Sequence, residues 1–231
     1  MPPLQQEALQ QTWRRWFGRA LPEKIVCVGL NYADHAAELS LDLPSEPLLF
    51  GKFPNALVDP GEPIVLPAEI GHVDAEAELA IVVGRRSHCV APENALEVVA
   101  GYLCANDISA RDLQFRESQW LRSKGFDTFC PVSTEIVPVR QVGDGRGLRV
   151  VQRLNGVVLQ DSTTDQMIFG VPEIVAHTST VFTLEPGDLI LTGTPAGVGV
   201  FRSPKVSLVD GDVVEVEIER IGTLQNRVVA G

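Results

Sequence analysis

Short apolar runs that end at glycine or proline dominate this sequence, which has 20 glycines and 16 prolines among its 231 residues. Runs of this length and pattern are typical of short β-strands. The predicted strands are residues 24–30, 47–52, 63–67, 75–84, 188–193 and 212–222. Helices are predicted over 31–39 and 171–182, and a helix that runs into a strand is predicted over 91–106. Because strands outnumber helices and no regular strand–helix alternation appears, we expect an α+β, β-rich domain with a rolled or sandwiched sheet.

Two local features add to this pattern. The pair Asn155–Gly156 separates two apolar runs and predicts a hairpin turn. Residues 1–18 are polar, with Trp13, Trp16 and Phe17 near their end, and they are compatible with a short helix or with a strand lying on the body.

The charge balance restricts the partners of this chain. Its net charge of -11 argues against a nucleic-acid partner, because phosphate binding needs clustered Lys and Arg. A bound metal or a few local cations can still reverse the field in one pocket, so an anionic substrate stays compatible. No apolar run approaches the roughly 18–20 residues of a membrane span, and no signal-peptide pattern opens the chain. The four cysteines form no C-x-x-C pair, and three lie in apolar runs, which is typical of reduced thiols in a cytosolic protein. A cytoplasmic protein without membrane contact is therefore expected.

Three carboxylates form the first candidate site. Glu76 and Glu78 lie two apart on a predicted strand, so both point to one face, and Asp107 ends the next strand. Three carboxylates without a Cys–His set favour a hard cation, Mg²⁺ or Mn²⁺, over zinc. The same spacing also occurs on half-exposed strands, where alternate residues face water. The glutamates of 215–219 show that spacing and are predicted to face solvent.

His35 and Glu38 form a second candidate site. They are three residues apart on a predicted helix, so their side chains can meet. A histidine oriented by a carboxylate can act as a general base near neutral pH, although a surface pair is the simpler interpretation of these two residues alone.

Several polar residues in loops could contact a substrate. Residues 190–199 form a strand that runs into a Gly-rich loop, whose amides and Thr194 hydroxyl could hold a carboxylate, and a plain turn is an equally good interpretation. Each of the other candidates alone is more often a surface residue. These candidates are Lys52, Arg111, Gln114 and Lys124.

Taken in order, seven segments are more specific than any one of these features. From about Lys24 to the C-terminus the chain resembles the fumarylacetoacetate hydrolase family, and it looks closest to the bacterial branch of acylpyruvate hydrolases, oxaloacetate decarboxylases and 2-hydroxyhepta-2,4-diene-1,7-dioate isomerases. The segments are GLNYADHAAEL, PLLFGKFPNALVDPGEPIVLP, AEAELAIVVG, VAGYLCANDISARDLQF, SKGFDTFCPVS, LNGVVLQDSTTDQMIF and LEPGDLILTGTPAGVG.

The resemblance implies a mixed β-sandwich roll of the family's C-terminal-domain type, usually dimeric, with a metal in a cleft. It implies a short N-terminal segment over 1–20, a catalytic domain over 21–231, and a homodimer. The implied ligands of Mg²⁺ or Mn²⁺ are Glu76, Glu78 and Asp107. The implied catalytic residues are His35, Glu38 and Lys124. The implied contacts to a 2-oxo acid substrate are Lys52, Arg111, Gln114 and Thr194.

The resemblance also implies a reaction. The first expectation is hydrolysis of the C–C bond of an acylpyruvate, such as fumarylpyruvate, by way of a metal-stabilised enolate. Isomerisation of 2-hydroxyhepta-2,4-diene-1,7-dioate and decarboxylation of oxaloacetate are alternatives in the same site. A non-catalytic 2-oxo-acid-binding protein, or a purely structural β-rich protein, is less favoured because the carboxylates, His35, Glu38 and Lys124 are all present.

Three departures from the family pattern bear on the substrate and not on the metal. Leu30 stands where many acylpyruvate hydrolases carry arginine, and Ala75 stands where a larger side chain often precedes the first glutamate. The sequence around Lys52 favours the isomerase-like members.

Overall fold

The computed structural model describes residues 5–231. Its α-helices are α1 (Glu7–Phe17), α2 (Ala33–Glu38), α3 (Arg111–Arg116), α4 (Leu121–Lys124), α5 (Val139–Val142) and α6 (Val171–Val181). Its strands are β1 (Ile25–Gly29), β2 (Leu48–Lys52), β3 (Leu57–Val58), β4 (Ile64–Leu66), β5 (Val73–Asp74), β6 (Ala77–Val83), β7 (Val99–Asn106), β8 (Ser109–Ala110), β9 (Cys130–Pro131), β10 (Val137–Pro138), β11 (Arg149–Leu154), β12 (Val157–Thr163), β13 (Leu189–Leu191), β14 (Val213–Ile218) and β15 (Gly222–Ala230). Four 3₁₀ turns cover Pro54–Ala56, Pro92–Val98, Thr164–Gln166 and Gly199–Phe201.

Two sheets form the frame of the fold. The larger has six strands in the order β10-β7-β6-β13-β1-β2, and the smaller has five in the order β12-β11-β14-β15-β4. Most neighbours are antiparallel, but β1 pairs with β13, and β15 with β4, in parallel. The α+β, β-rich architecture predicted from the sequence is therefore confirmed.

The main hydrophobic core joins the two sheets. The six-stranded sheet contributes Leu79, Ile81 and Tyr102, and the five-stranded sheet contributes Val216 and Leu224. Helix α6 packs into the same core through its buried side chains. Removal of this apolar surface from water is the main favourable term in folding.

A second core covers the opposite face of the six-stranded sheet. Ala80 and Val82 of β6 pack there with Leu9 and Trp13 of α1. The indole Nε1–H of Trp13 donates to the carbonyl of Gly187 at 2.8 Å. Because both faces of β6 are covered, all seven of its residues are buried, as in a central strand between two layers. The division of the chain into 1–20 and 21–231 stays a prediction.

Most of the local predictions are confirmed. Asn155 and Gly156 have φ angles of 51° and 79°, as a type I′ hairpin turn between β11 and β12 requires. The helix predicted at the start of 91–106 is a 3₁₀ turn. Cys27, Cys104 and Cys130 are buried free thiols, whereas Cys89 is exposed. In residues 5–231, no helix has both the length and the apolar character needed to cross a membrane.

The glutamates of 215–219 lie on the outer side of the five-stranded sheet, as predicted. Glu217 and Glu219 are exposed and Glu215 is half-buried. Arg153 donates to Glu215 and Glu217, both at 2.7 Å. This stretch of β14 therefore has the ordinary alternation of a sheet with one solvated face, unlike Glu76 and Glu78.

Candidate active site

The three predicted ligand carboxylates meet where β6 begins and β7 ends. The two strands are antiparallel with Ala77 opposite Asn106, so Glu76 and Asp107 lie next to each other just beyond this pair. The amide of Asp107 donates to the carbonyl of Glu76 at 2.9 Å. One carboxylate oxygen from each of Glu76, Glu78 and Asp107 lies within 4.8 Å of the others, and all three residues are buried. Strand pairing therefore brings together residues that are about thirty positions apart in the chain.

Glu76 and Glu78 differ in their partners. Burial alone would raise the pKa of Glu76, but the charges of Arg111 and Lys124 outweigh it and hold that pKa well below its usual range. Burial, followed by the negative charges of Asp107 and Glu76, raises the pKa of Glu78 well above its usual value. Glu78 accepts the amide N–H of Gly193 at 2.6 Å. Within residues 5–231 no lysine or arginine forms an ion pair with Glu78, so this carboxylate needs either a proton or a bound cation.

One carboxylate oxygen of Asp107 receives no well-directed hydrogen bond. The ammonium nitrogen of Lys52 lies 2.7 Å from Oδ1 of Asp107. That ammonium, however, donates to three backbone carbonyls, and Oδ1 receives no hydrogen bond of good geometry. The three carbonyls belong to Ile108, Lys124 and Phe129. A buried carboxylate oxygen in this condition has lone pairs available to a metal ion.

These donors fit a divalent hard cation. Carboxylate oxygens are the ligands that Mg²⁺ and Mn²⁺ prefer. The buried ionic cluster holds four carboxylates, of Asp74, Glu76, Glu78 and Asp107, against three cations, of Lys52, Arg111 and Lys124. When all are ionised the cluster carries a surplus negative charge, which a cation would compensate. The described residues could therefore hold Mg²⁺ or Mn²⁺ at Glu76, Glu78 and Asp107.

Lys124 lies between two of these carboxylates. Its ammonium donates to Glu76 Oε2 at 2.7 Å and to Asp107 Oδ2 at 2.8 Å. Burial would lower the pKa of Lys124, but the charges of Asp107 and Glu76 raise it above its usual value, so the side chain is a permanent cation. Helix α4 ends at this residue and carries the ammonium to the ends of β6 and β7.

His35 and Glu38 form the predicted pair on α2. Nδ1 of His35 lies 2.9 Å from Oε2 of Glu38, which leaves Nε2 available for another partner. The other oxygen of Glu38 accepts the amide N–H of Gly197 at 3.0 Å. The ring of Phe201 lies 5.7 Å from that of His35. The carboxylate therefore fixes the histidine against the Gly-rich loop.

The other predicted substrate contacts are largely engaged within the protein. Thr194 donates to the carbonyl of Ala77 at 2.9 Å and accepts from Gln160 at 2.8 Å. Arg111 donates through Nη1 to Oε1 of Gln114 at 2.6 Å and through Nη2 to Glu76. Their roles toward a substrate stay predictions.

Asp74 is a further buried member of the site and is not among the residues predicted from the sequence. Its Oδ1 accepts from Arg111 Nε at 2.6 Å, and its Oδ2 accepts from the amide of Val200 at 2.7 Å. Asp74 thereby ties the arginine to the turn that holds Phe201. The available signal was the alternation itself, because Asp74 precedes Glu76 by the same two-residue step that separates Glu76 from Glu78.

A cavity of about 360 Å³ opens beside these residues. Seven of the ten predicted site residues line it, whereas Glu38, Lys52 and Asp107 are not part of the lining. The seven are His35, Glu76, Glu78, Arg111, Gln114, Lys124 and Thr194. The rest of the wall is apolar or glycine: Val28, Gly29, Leu30, Leu39, Leu41, Leu48, Phe50, Phe115, Trp120, Gly193 and Phe201.

Comparison with known proteins identifies the family of this chain. Residues 24–229 match the family model described as fumarylacetoacetate (FAA) hydrolase C-terminal. The chain belongs to the fumarylacetoacetate hydrolase family. The resemblance expected from the seven segments is therefore confirmed, and the two sheets of the fold are those of the family's C-terminal domain.

Relatives within the fumarylacetoacetate hydrolase family carry several activities in their names. The chain is 48% identical over 210 residues to the oxaloacetate tautomerase FAHD2A, mitochondrial, of Bos taurus, covering 90% of this chain and 67% of that protein. It is 46% identical to the structure of a 2-hydroxyhepta-2,4-diene-1,7-dioate isomerase from Mycobacterium marinum, with a TM-score of 0.81 and coverage of 91% and 75%. It is 43% identical to the structure of a fumarylacetoacetate hydrolase from psychrophilic Exiguobacterium antarcticum, with a TM-score of 0.85 and coverage of 91% and 76%.

The names of these relatives describe both activities and a cellular location. Members of the family are enzymes that include isomerases, a tautomerase and hydrolases. The name of the Bos taurus relative includes a mitochondrial location. The cytoplasmic location expected from composition stays a prediction for this chain.

Proposed function

We propose that this chain converts a small 2-oxo acid through its enolate at a divalent cation, Mg²⁺ or Mn²⁺, held by Glu76, Glu78 and Asp107. The observation that carries the proposal is the shared cavity. The buried carboxylates, the Lys124 ammonium and the His35–Glu38 pair all border or support one space of about 360 Å³. A pocket of that size suits a small organic acid.

The cation and the protein would divide the chemistry. Glu76, Glu78 and Asp107 would hold the cation, which would supply Lewis-acid stabilisation of negative charge on the substrate. Nε2 of His35 would accept or return a proton, because Glu38 holds the ring through Nδ1 and leaves Nε2 available. Lys124 would neutralise charge that develops on substrate oxygen. Arg111, Gln114 and Thr194 would orient the substrate, and Lys52 would support Asp107 from behind.

Among the reactions open to such a site, we rank proton transfer at C3 of the substrate first. Keto–enol tautomerisation and double-bond isomerisation need only the enolate and one proton carrier, which is His35 here. The names of an oxaloacetate tautomerase and of an isomerase among the relatives support this ranking.

Hydrolysis of an acylpyruvate is the second candidate, and the His35–Glu38 pair favours it. The same histidine would deprotonate a water molecule that attacks the distal carbonyl, so that the bond to C3 breaks and the pyruvate part leaves as its enolate. This reaction is the first expectation from the sequence motifs, and it stays a proposal. Decarboxylation of oxaloacetate would use the same enolate without any attacking water.

A substrate panel tests the proposal. The protein would be incubated with Mg²⁺ or Mn²⁺ and with enol-oxaloacetate, keto-oxaloacetate, acylpyruvates, fumarylpyruvate and hydroxyheptadienedioate. The proposal expects turnover of at least one 2-oxo acid, abolished by chelation and restored by the metal. Absence of metal-dependent turnover across the panel would contradict it. Acceleration of tautomerisation without hydrolysis would select the first candidate.

A further inference from the structure

The cavity differs sharply between its floor and its mouth. The floor holds buried ionic side chains, with Glu78 and Lys124 each 2% exposed. The mouth holds exposed apolar side chains, with Leu41 53%, Leu48 50% and Phe115 61% exposed. Large apolar side chains that are grouped around a pocket and exposed to solvent are typical of a site that binds an apolar group.

From this contrast we infer that the mouth of the cavity binds an apolar substituent of the 2-oxo acid and not a second carboxylate. The inference rests on the proposed function, because it assumes that the 2-oxo and carboxylate oxygens of the substrate lie at the floor. The substrate class is then a 2-oxo acid with one carboxylate and an alkyl or aryl tail beyond C3.

The positions of the cations support this assignment. In the described part of the chain, only Arg111 and Lys124 among lysines and arginines line the cavity. Arg111 directs its N–H groups to Asp74, Glu76 and Gln114. Lys124 is held by Glu76 and Asp107. Neither is therefore free to receive a carboxylate at the mouth.

The arginines nearest along the chain point to the same conclusion. Arg116 and Arg122 flank the Phe115–Leu121 stretch, but both pair with Glu117 and neither lines the cavity. A second carboxylate at the mouth would lose water without gaining a lysine or arginine partner, which disfavours it. An alkyl tail would instead bind about fourfold more tightly for each methylene that leaves water.

The cavity volume agrees with a substrate larger than pyruvate. At their ~30 Å³ share of liquid volume, roughly a dozen water molecules would fill 360 Å³. A pyruvate head group would occupy only a part of that space. Leu30, Trp120 and Phe201 supply further apolar wall for a tail.

Two matched inhibitors test the inference by binding, without turnover. N-butyloxamate and N-(2-carboxyethyl)oxamate share the carboxylate and adjacent carbonyl of a 2-oxo acid and have tails of similar length. Isothermal titration into the Mn²⁺- or Mg²⁺-loaded protein is expected to show N-butyloxamate binding at least about tenfold more tightly, which equals roughly two buried methylenes. Equal or tighter binding of N-(2-carboxyethyl)oxamate would overturn the inference.

Oxalate, which has the head group alone, separates this result from failure of the proposed function. Oxalate binding that requires the metal, together with no preference for the butyl tail, would refute the apolar mouth and leave the proposed function standing. If neither oxalate nor either oxamate binds in the presence of metal, the proposed function fails and the inference fails with it.

A substitution at Leu30 provides an independent test. Leu30 lines the cavity with a φ of 47°, so an unbranched replacement meets the same backbone demand as leucine. Leu30→Arg is expected to shift the ratio of the two oxamate affinities several-fold toward N-(2-carboxyethyl)oxamate, because it adds a third cation to a wall whose Arg111 and Lys124 are both engaged within the protein. Leu30→Gln, with a polar but neutral side chain, is the matched control and should shift the ratio much less. An unchanged ratio in Leu30→Arg would contradict the assignment of the mouth.

Discussion

At the scale of single residues, the central feature is a buried cluster in which carboxylates outnumber cations. Glu78 is its clearest member, because its pKa is raised by burial and by its acidic neighbours while it lacks an ion-pair partner in the described residues. Perturbed pKa values of this kind concentrate at functional sites, which agrees with a metal centre.

Replacing a carboxylate should remove the cation. Asp107→Asn keeps the shape of the side chain but loses its charge, and Mg²⁺ or Mn²⁺ affinity should fall by at least the roughly 10–100-fold typical of losing an outer-shell partner. Isothermal titration measures the affinity. Because Asp107 also pairs with Lys52 and Lys124, a thermal melt must show that the variant folds. Glu78→Gln is a second variant without that complication. Wild-type affinity in both variants would exclude this metal site.

Replacing His35 should separate the reactions. His35→Ala is expected to lower tautomerisation and acylpyruvate hydrolysis by about 10²–10⁴-fold, the usual contribution of a general base. Decarboxylation of oxaloacetate should fall much less, because loss of CO₂ needs no general base and the enolate that it leaves can take its proton from solvent. The measurement is the ratio of these activities at saturating metal, and His88→Ala, at an exposed surface position, is the control. Equal losses in all reactions would show that His35 positions the substrate or closes the site.

At the scale of elements, helix α2 carries His35 and Glu38. It has only six residues and lies after β1 and before β2 in the chain. So short a helix has little stability of its own, and tertiary contacts must hold it. His35 and Ala36 are its buried residues, and side-chain hydrogen bonds join it to the rest of the domain at two points: Asp34 with Ser162, and Glu38 with Gly197. The segment that follows exposes Leu41 and Leu43 to solvent. These features are typical of a part of the chain that opens more easily than the sheets.

Hydrogen exchange should therefore report ligand binding at α2. Amides of 31–45 are expected to exchange faster than those of β6 and β7 and to become protected when oxalate and Mg²⁺ are added, because a lid that covers bound ligand loses its opening motions. Exchange is followed by mass spectrometry, with the hairpin β11–β12 as an internal control. Slow exchange of 31–45 that oxalate leaves unchanged would contradict this prediction.

Helix α1 should contribute to the stability of the whole domain. Trp13 is fully buried against the six-stranded sheet, whereas Trp16 is 42% exposed. Trp13→Ala is expected to reduce the free energy of unfolding by about 3–5 kcal/mol, and Trp16→Ala by much less. Urea unfolding measures both variants. Equal small losses would mean that α1 is only loosely attached and contributes little to the second core.

At the scale of the whole molecule, the homodimer implied by the sequence stays a prediction. Apolar side chains that are at least half exposed, such as Phe53 and Val157, provide surface that a partner copy could cover. Sedimentation equilibrium should give about twice the chain mass of 25.1 kDa. A monomer at micromolar concentration would contradict the dimer, while the cavity, built from one chain, would remain.

The sequence by itself determined the parts of this protein that depend on local pattern. Alternating and apolar runs predicted the strands, Asn155–Gly156 predicted a hairpin, and ordered motifs identified the family and the three carboxylates. The strand and hairpin signals lie within a few residues, where backbone periodicity and turn chemistry decide the outcome, whereas the family signal is the order of seven segments along the chain.

Tertiary structure alone decided which polar residues work together. Spacing could not distinguish Glu76 and Glu78 from the glutamates of 215–219, because a two-residue step only places side chains on one face. The second core makes the difference. It covers the face of β6 that carries Glu78, whereas the corresponding outer face of β14 is open to water. Contacts between distant segments bury Asp74, hold Lys52 away from the cavity lining and form the apolar mouth. Burial and charge balance are properties of the packed molecule, so no local pattern in the chain expresses them.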